Sequence, residues 1–141
     1  MFPTRSFPTP PAYTAQETAA LAHVPGRALA KPVMVKLDGR IAMVVLSAAE
    51  RLDLGRLREV TGAITASLAA ESEFRDLFPE CELGAMPPFG NLFGLEVWAS
   101  DGLLDDEHIA FNAGNHSELI RIASSDFQRL VRPRIAHFRR H

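Results

Sequence analysis

The sequence predicts an α+β fold, a mixed sheet with helices packed around it, and three observations carry that reading. Strand and helix signals do not alternate regularly, which argues against a doubly wound nucleotide-binding sheet. Two β-prone runs, Val33–Leu37 and Ile41–Leu46, flank Asp38-Gly39, a strong short-range hairpin signal. The second run is apolar on both faces, so it belongs in the centre of a sheet covered on both sides.

The elements follow in order. Residues 1–13, with prolines at 3, 8, 10 and 11, read as an extended arm. Thr14-Ala-Gln-Glu17 has the form of a capping box and opens a short helix to about Ala22, before Pro25-Gly26. The hairpin comes next, with Pro32 limiting pairing near the start of its first strand. Asp53 caps a helix from Leu54 to about Thr61, and Gly62 stops it. A second helix is expected over roughly Ser67–Phe78, from the spacing of Phe74, Leu77 and Phe78. Gly84-Ala-Met-Pro-Pro-Phe-Gly90 is a shaped loop, because two glycines and two prolines in seven residues suit neither helix nor central strand. Strands follow at Leu95–Ala99, His108–Asn112 and Leu119–Ala123, with turns at Asp101-Gly102 and Gly114. Ser125-Asp-Phe-Gln128 caps a last helix that ends near Pro133, and residues 134–141 form a basic tail.

Length and composition fit this plan. A chain of 141 residues makes one domain, placed at 14–133. It buries about two-thirds of the surface its unfolded form exposes, so it needs no disulfide or metal staple. A single cysteine, Cys81, and the lack of a basic stretch before an apolar one at the N-terminus point to a reducing, cytoplasmic setting. The longest apolar run, Ile41–Leu46, is too short to cross a membrane. The net charge of −2 hides an asymmetry. Eleven acids and one base lie between Glu71 and Glu118, whereas six arginines and one acid lie from Arg121 onward. The basic end suits either a phosphate backbone or plain solvation.

Few residues could carry chemistry. Strand alternation puts Lys31 on the face of Val33, Val35 and Leu37, with Lys36 on the other. An ammonium there either snorkels to water or anchors an anion at a pocket mouth. The Gly84–Gly90 loop is either a tight connection or a rigid run of amides able to hold an oxyanion. Gly114-Asn115-His116 is either ordinary turn chemistry or a polar rim. Cys81 sits between Glu80 and Glu82, which oppose thiolate formation. His108 and His116 lack zinc-site spacing, and no metal is expected. Neither a nucleophile elbow, nor a phosphate-binding Gly-Lys-Ser/Thr loop, nor a dinucleotide fingerprint occurs.

Three ordered stretches carry a resemblance: Ala30–Gly39, Cys81–Gly90, and Phe111–His116 followed by Asp126–Pro133. Together they resemble the prolyl-tRNA synthetase-associated editing domains, the YbaK-like aminoacyl-tRNA deacylases. The resemblance implies a partly closed, barrel-like sheet surrounded by helices. It implies metal-independent hydrolysis, in trans, of the ester that joins a wrong amino acid to the 3' end of tRNA. No cofactor is implied. Lys31 matches the family's lysine and Gly84, Ala85, Met86, Pro87 and Pro88 its catalytic loop. Phe89, Gly90, Gly114, Asn115 and His116 would line the substrate pocket. An aminoacyl-tRNA synthetase is a further partner that the resemblance admits. Two departures stand out: few residues precede Thr14, and Pro87 stands where the family often has glycine, removing an amide donor. They leave open a non-catalytic module that binds tRNA, another nucleic acid or a synthetase.

Overall fold

The computed structural model describes residues 5–8, 26–78, 86–112, 114 and 118–139. The expected helix at 14–22 lies outside them. Two sheets are present among the described residues. Strands β1 (Arg5–Pro8), β6 (His108–Asn112) and β7 (Glu118–Ala123) form one, in the order β1-β7-β6. Strands β2 (Ala30–Leu37), β3 (Arg40–Ser47), β4 (Ala66–Leu68), β5 (Val97–Ser100) and β8 (Arg134–Ala136) form the other, in the order β4-β2-β3-β5-β8. The larger sheet is mixed: β3 runs antiparallel to β2 and parallel to β5, and β8 runs parallel to β5. Its edges, β4 and β8, do not meet, so the expected barrel-like closure is replaced by two sheets. An isolated parallel bridge from Leu29 to Ala110 joins them.

The hairpin forms as its sequence dictates. Asp38 and Gly39 take φ values of 52° and 82°, the left-handed pair that matches strand twist. Strand β3 is the central strand, and Ala42–Leu46 are at most 2% exposed. Its alternation divides the interior. Met43 and Val45 join Ala30, Met34, Phe111 and Phe127 on one face, while Ala42, Val44 and Leu46 join Val35, Leu37, Leu57, Trp98 and Phe138 on the other. Pro32 lies within β2, opposite Val45. The Ala48 amide donates to the Leu29 carbonyl, so odd-numbered residues of β2 exchange bonds with β3. Pro32 thus turns its missing N–H toward β4, which pairs only from Val35 onward.

Helix α1 (Leu54–Thr61) keeps both expected caps: the Asp53 carboxylate accepts from the Arg56 amide at 3.1 Å, and Gly62 closes the helix at φ 75°. The long helix expected over 67–78 does not form. Its first residues instead extend the sheet as β4, and only a single turn, α2 (Glu71–Phe74), and a 3-10 turn (Arg75–Leu77) follow. Phe74 and Phe78 are buried but Leu68 is exposed, so edge pairing with β2 outweighs the weak helical periodicity. Helix α3 (Ser124–Val131) begins one residue before the expected cap. The Ser124 hydroxyl donates to the Asp106 carbonyl rather than to its own helix.

The chain ends join the two sheets. In the N-terminal arm, Arg5–Pro8 pairs antiparallel with β7. At the other end the expected tail is part of the fold: β8 pairs with β5, Phe138 is fully buried, and Arg139 bridges to Leu52. Phe138 supplies the physical reason, since it fills the space between α1 and Trp98, and its carbonyl accepts the Asp53 amide at 2.9 Å.

Candidate functional site

The start of β2, the end of β6 and the loop at 86–90 share one neighbourhood at the seam between the sheets. The Leu29–Ala110 bridge is parallel, so Lys31 and Asn112 each lie two residues further along adjacent strands. Ala30, Met86 and Phe111 belong to one apolar cluster, with Phe89 packed against it. The Phe89 ring meets Phe111 edge-on at 5.2 Å and Phe127 at 6.1 Å. Met86 and Pro88 are buried, while Pro87 and Phe89 are partly exposed. Gly90 is required by close approach. A β-carbon there would lie 3.1 Å from Met43 Cβ and 3.1 Å from Val97 Cγ2. Gly114 takes φ 94°, a conformation that favours glycine. Gly84, Ala85, Asn115 and His116 lie outside the described residues.

Lys31 occupies the face expected from alternation, and it is half-buried. Its Nζ donates to the Glu50 carbonyl at 3.3 Å. Burial pushes this ammonium below the ordinary lysine value; the Glu50 carboxylate opposes the shift and Arg51 adds to it. Lys31 thus stands on the Val35–Leu37 side of the sheet and Met86 in the cluster on the other side. The described contacts bring the loop to Phe111, but show none between the loop and the Lys31 ammonium.

Sequence reasoning missed what surrounds Lys31. Glu50 accepts from the Ser47 amide at 2.8 Å, the Ser100 hydroxyl at 2.9 Å and Arg139 Nη1 at 2.9 Å. Burial alone would raise this carboxyl, but the three donors, together with the Arg139 charge, hold it below the ordinary glutamate value. Ser100 is fully buried, and Arg139 is in turn held more firmly protonated, first by its hydrogen bond to Glu50. Gly102 leaves room for the pair, because a β-carbon there would fall 1.8 Å from Arg139 Nη1. These residues are separated by up to 89 positions, and no local pattern announces them. Asn112 was also missed: it is 3% exposed, and its Oδ1 has no partner among the described residues.

Among the described residues, no group of three or more His, Cys, Asp or Glu side chains is placed to hold a metal. No helix among them is long and apolar enough to cross a membrane.

Comparison with known proteins gives the class, that of the aminoacyl-tRNA editing domains. The chain belongs to the aminoacyl-tRNA editing domain family, which matches residues 9–130. It is 32% identical over 129 residues to the multifunctional Ser/Thr-tRNA deacylase ProXp-y of Escherichia coli K12, covering 86% of this chain and 77% of that protein. The fold also matches the crystal structure of a candidate trans-editing enzyme for prolyl tRNA synthetase. That likeness has a TM-score of 0.86 at 21% identity and covers 98% of this chain and 87% of the other. A longer candidate signal transduction protein from Marinobacter aquaeolei VT8 contains the same fold, with a TM-score of 0.75 at 16% identity over 94% of this chain and 28% of its own. Family and relative together make the chain an aminoacyl-tRNA deacylase, a hydrolase of the ester bond of mischarged tRNA.

Proposed function

We propose that the chain deacylates mischarged tRNA in trans, with serine and threonine among the amino acids removed and Lys31 holding the substrate. The observation that carries this reading is Lys31 itself: a half-buried ammonium at the seam, with one bond among the described residues, to a backbone carbonyl. An ammonium has three donors, so two remain for a phosphate or carboxyl oxygen of the aminoacylated 3' end. Serine and threonine enter because the relative from Escherichia coli is named for them.

The remaining roles rest on the family resemblance. Amides of the Gly84–Pro88 loop hold the ester carbonyl, and Phe89, Gly90, Gly114, Asn115 and His116 close the pocket around the amino acid. Pro87 and Pro88 donate nothing, which leaves Gly84, Ala85 and Met86 as the donors of that loop. Water is the nucleophile. The amides then stabilise charge developing on the carbonyl oxygen, a role that needs fixed donors rather than a nucleophilic side chain. Docking of the substrate against Lys31 converts a bimolecular encounter into an oriented attack.

The test is a deacylation panel: purified protein against tRNA charged with serine, threonine, alanine and cysteine, for wild type and Lys31→Ala. Turnover of seryl- and threonyl-tRNA by wild type, lost in Lys31→Ala with thermal unfolding unchanged, is expected. Binding of charged tRNA without turnover would overturn the enzymatic reading and leave a binding module. Turnover that survives in Lys31→Ala would show the lysine to be a snorkelling residue.

A further inference from the structure

Glu50 sits where the proposed anchor is held, and it has no counterpart among the residues that the sequence singled out. Its side chain is 10% exposed, and its carboxylate is met by three donors from three separate parts of the chain. Those donors come from the end of β3, the end of β5 and the segment after β8. A buried carboxylate is costly unless it is paired and hydrogen-bonded, and here it is both. Ser47, whose amide it accepts, begins the turn that ends at Glu50, and the Glu50 amide donates back to the Ser47 carbonyl at 3.0 Å. The carbonyl of the same residue takes the Lys31 ammonium. One residue therefore fixes the turn through its side chain and receives the lysine through its backbone.

We infer that Glu50 is a positioning residue for deacylation: clamped by Ser47, Ser100 and Arg139, it sets the place of the Lys31 ammonium and gives it a neighbouring negative charge. The inference rests on the reading of Lys31 as the substrate anchor. The charged groups around the lysine fit the role. Arg51 and burial both work against its protonation, and among the described residues the Glu50 carboxylate is the group that opposes them. Arg139 faces Asp101 and Asp105 as well as Glu50, and all three favour its protonated form. Gly102 is the structural requirement of the clamp: an alanine β-carbon would lie 1.8 Å from Arg139 Nη1 and 2.6 Å from Glu50 Oε2.

The experiment uses the full chain and four variants: Glu50→Gln, Arg139→Gln, Lys31→Ala and the Glu50→Gln/Lys31→Ala double variant. Glutamine keeps the shape and the acceptor oxygen but removes the charge. Deacylation of seryl-tRNA by Glu50→Gln should fall by about tenfold, the scale of losing one charge-assisted hydrogen bond. The loss should appear mainly in KM, since the anchor acts on binding, and Arg139→Gln should reproduce it more weakly. On the Lys31→Ala background Glu50→Gln should add nothing, because both act through one ammonium. The Lys31 side-chain titration, followed by NMR of the protein without substrate, should move to lower pH in Glu50→Gln. Additive losses in the double variant, or an unmoved Lys31 titration, would overturn the inference. If Lys31→Ala retains full activity, the anchor reading falls. The NMR titration still reports whether Glu50 governs that ammonium, so the two failures are distinguishable. Arg139→Gln supplies the same comparison should Glu50→Gln not fold.

Discussion

Replacing Phe138 by alanine tests whether the arginine-rich end of the chain is structure or tail. Phe138 is fully buried against Leu57, Val44, Leu46 and Trp98. An aromatic side chain buries roughly 150–200 Å². At about 25 cal/mol per Å² that amounts to about 4 kcal/mol, within the range of about 3–5 kcal/mol found when buried phenylalanine becomes alanine. The loss should spread, because the Phe138 carbonyl accepts the Asp53 amide at 2.9 Å, and Asp53 caps α1. For a chain of this size each kcal/mol moves Tm by roughly 3–5 °C, so a drop of roughly 10–20 °C is expected. Urea unfolding followed by circular dichroism, with thermal scans beside it, measures both. Ile135→Ala is the control from the same segment: Ile135 is 48% exposed, and its loss should cost about 0.5 kcal/mol. A Phe138→Ala variant within about 1 kcal/mol of wild type, or one no less stable than Ile135→Ala, would refute the packing argument and return residues 134–141 to the status of a tail.

Two further outcomes follow from the same geometry. Gly90→Ala should destabilise by about 1–3 kcal/mol, because Met43 and Val97 stand 3.1 Å from the new β-carbon; an unchanged urea midpoint would show that they give way freely. Glu50 should add an acid limb to stability: its folded carboxyl lies below the ordinary glutamate value, so its contribution is full above that value and fades as pH falls through the folded one. Stability against pH for wild type and Glu50→Gln should therefore converge in acid and separate towards neutrality, and parallel curves would contradict it.

The parts of the fold legible in the sequence were those set by local chemistry. Asp38-Gly39 dictates its own turn, Asp53 and Gly62 cap α1, and the doubly apolar run Ile41–Leu46 declares a central strand. The misread parts were those decided by distant partners. The spacing of Phe74, Leu77 and Phe78 carries a helix back over Ser67 and Leu68, yet the free edge of β2 claims those two as β4. Ser124, rather than Ser125, opens α3, because its hydroxyl finds the Asp106 carbonyl. In the candidate site, Lys31 was legible as a charge out of place on an apolar face. Glu50 was not, because Ser100 and Arg139 lie 50 and 89 residues away.

The charge asymmetry along the chain resolves in three dimensions. Arg134 pairs with Glu96 at 3.4 Å while lying over the Trp98 ring, Arg139 pairs with Glu50, and Arg129 pairs with Asp126. Acids of the middle segment also engage arginines elsewhere, as Asp106 does Arg27. Arg129, Arg134 and Arg139 are thus paired with acids, and their charge serves the fold before it could serve a phosphate backbone. Exposed pairs of this kind contribute little each, but a carboxylate as buried as Glu50 cannot lose its arginine cheaply. A tRNA contact built on Arg139 would have to break the Glu50 clamp and, with it, the support of Lys31. Arg51, exposed, close enough to act on Lys31, and without an acid partner among the described residues, meets a phosphate at no such cost. The steep salt dependence expected of tRNA binding should accordingly diminish in Arg51→Ala, with one counterion fewer released. An unchanged salt slope in that variant would move the phosphate contact away from the lysine.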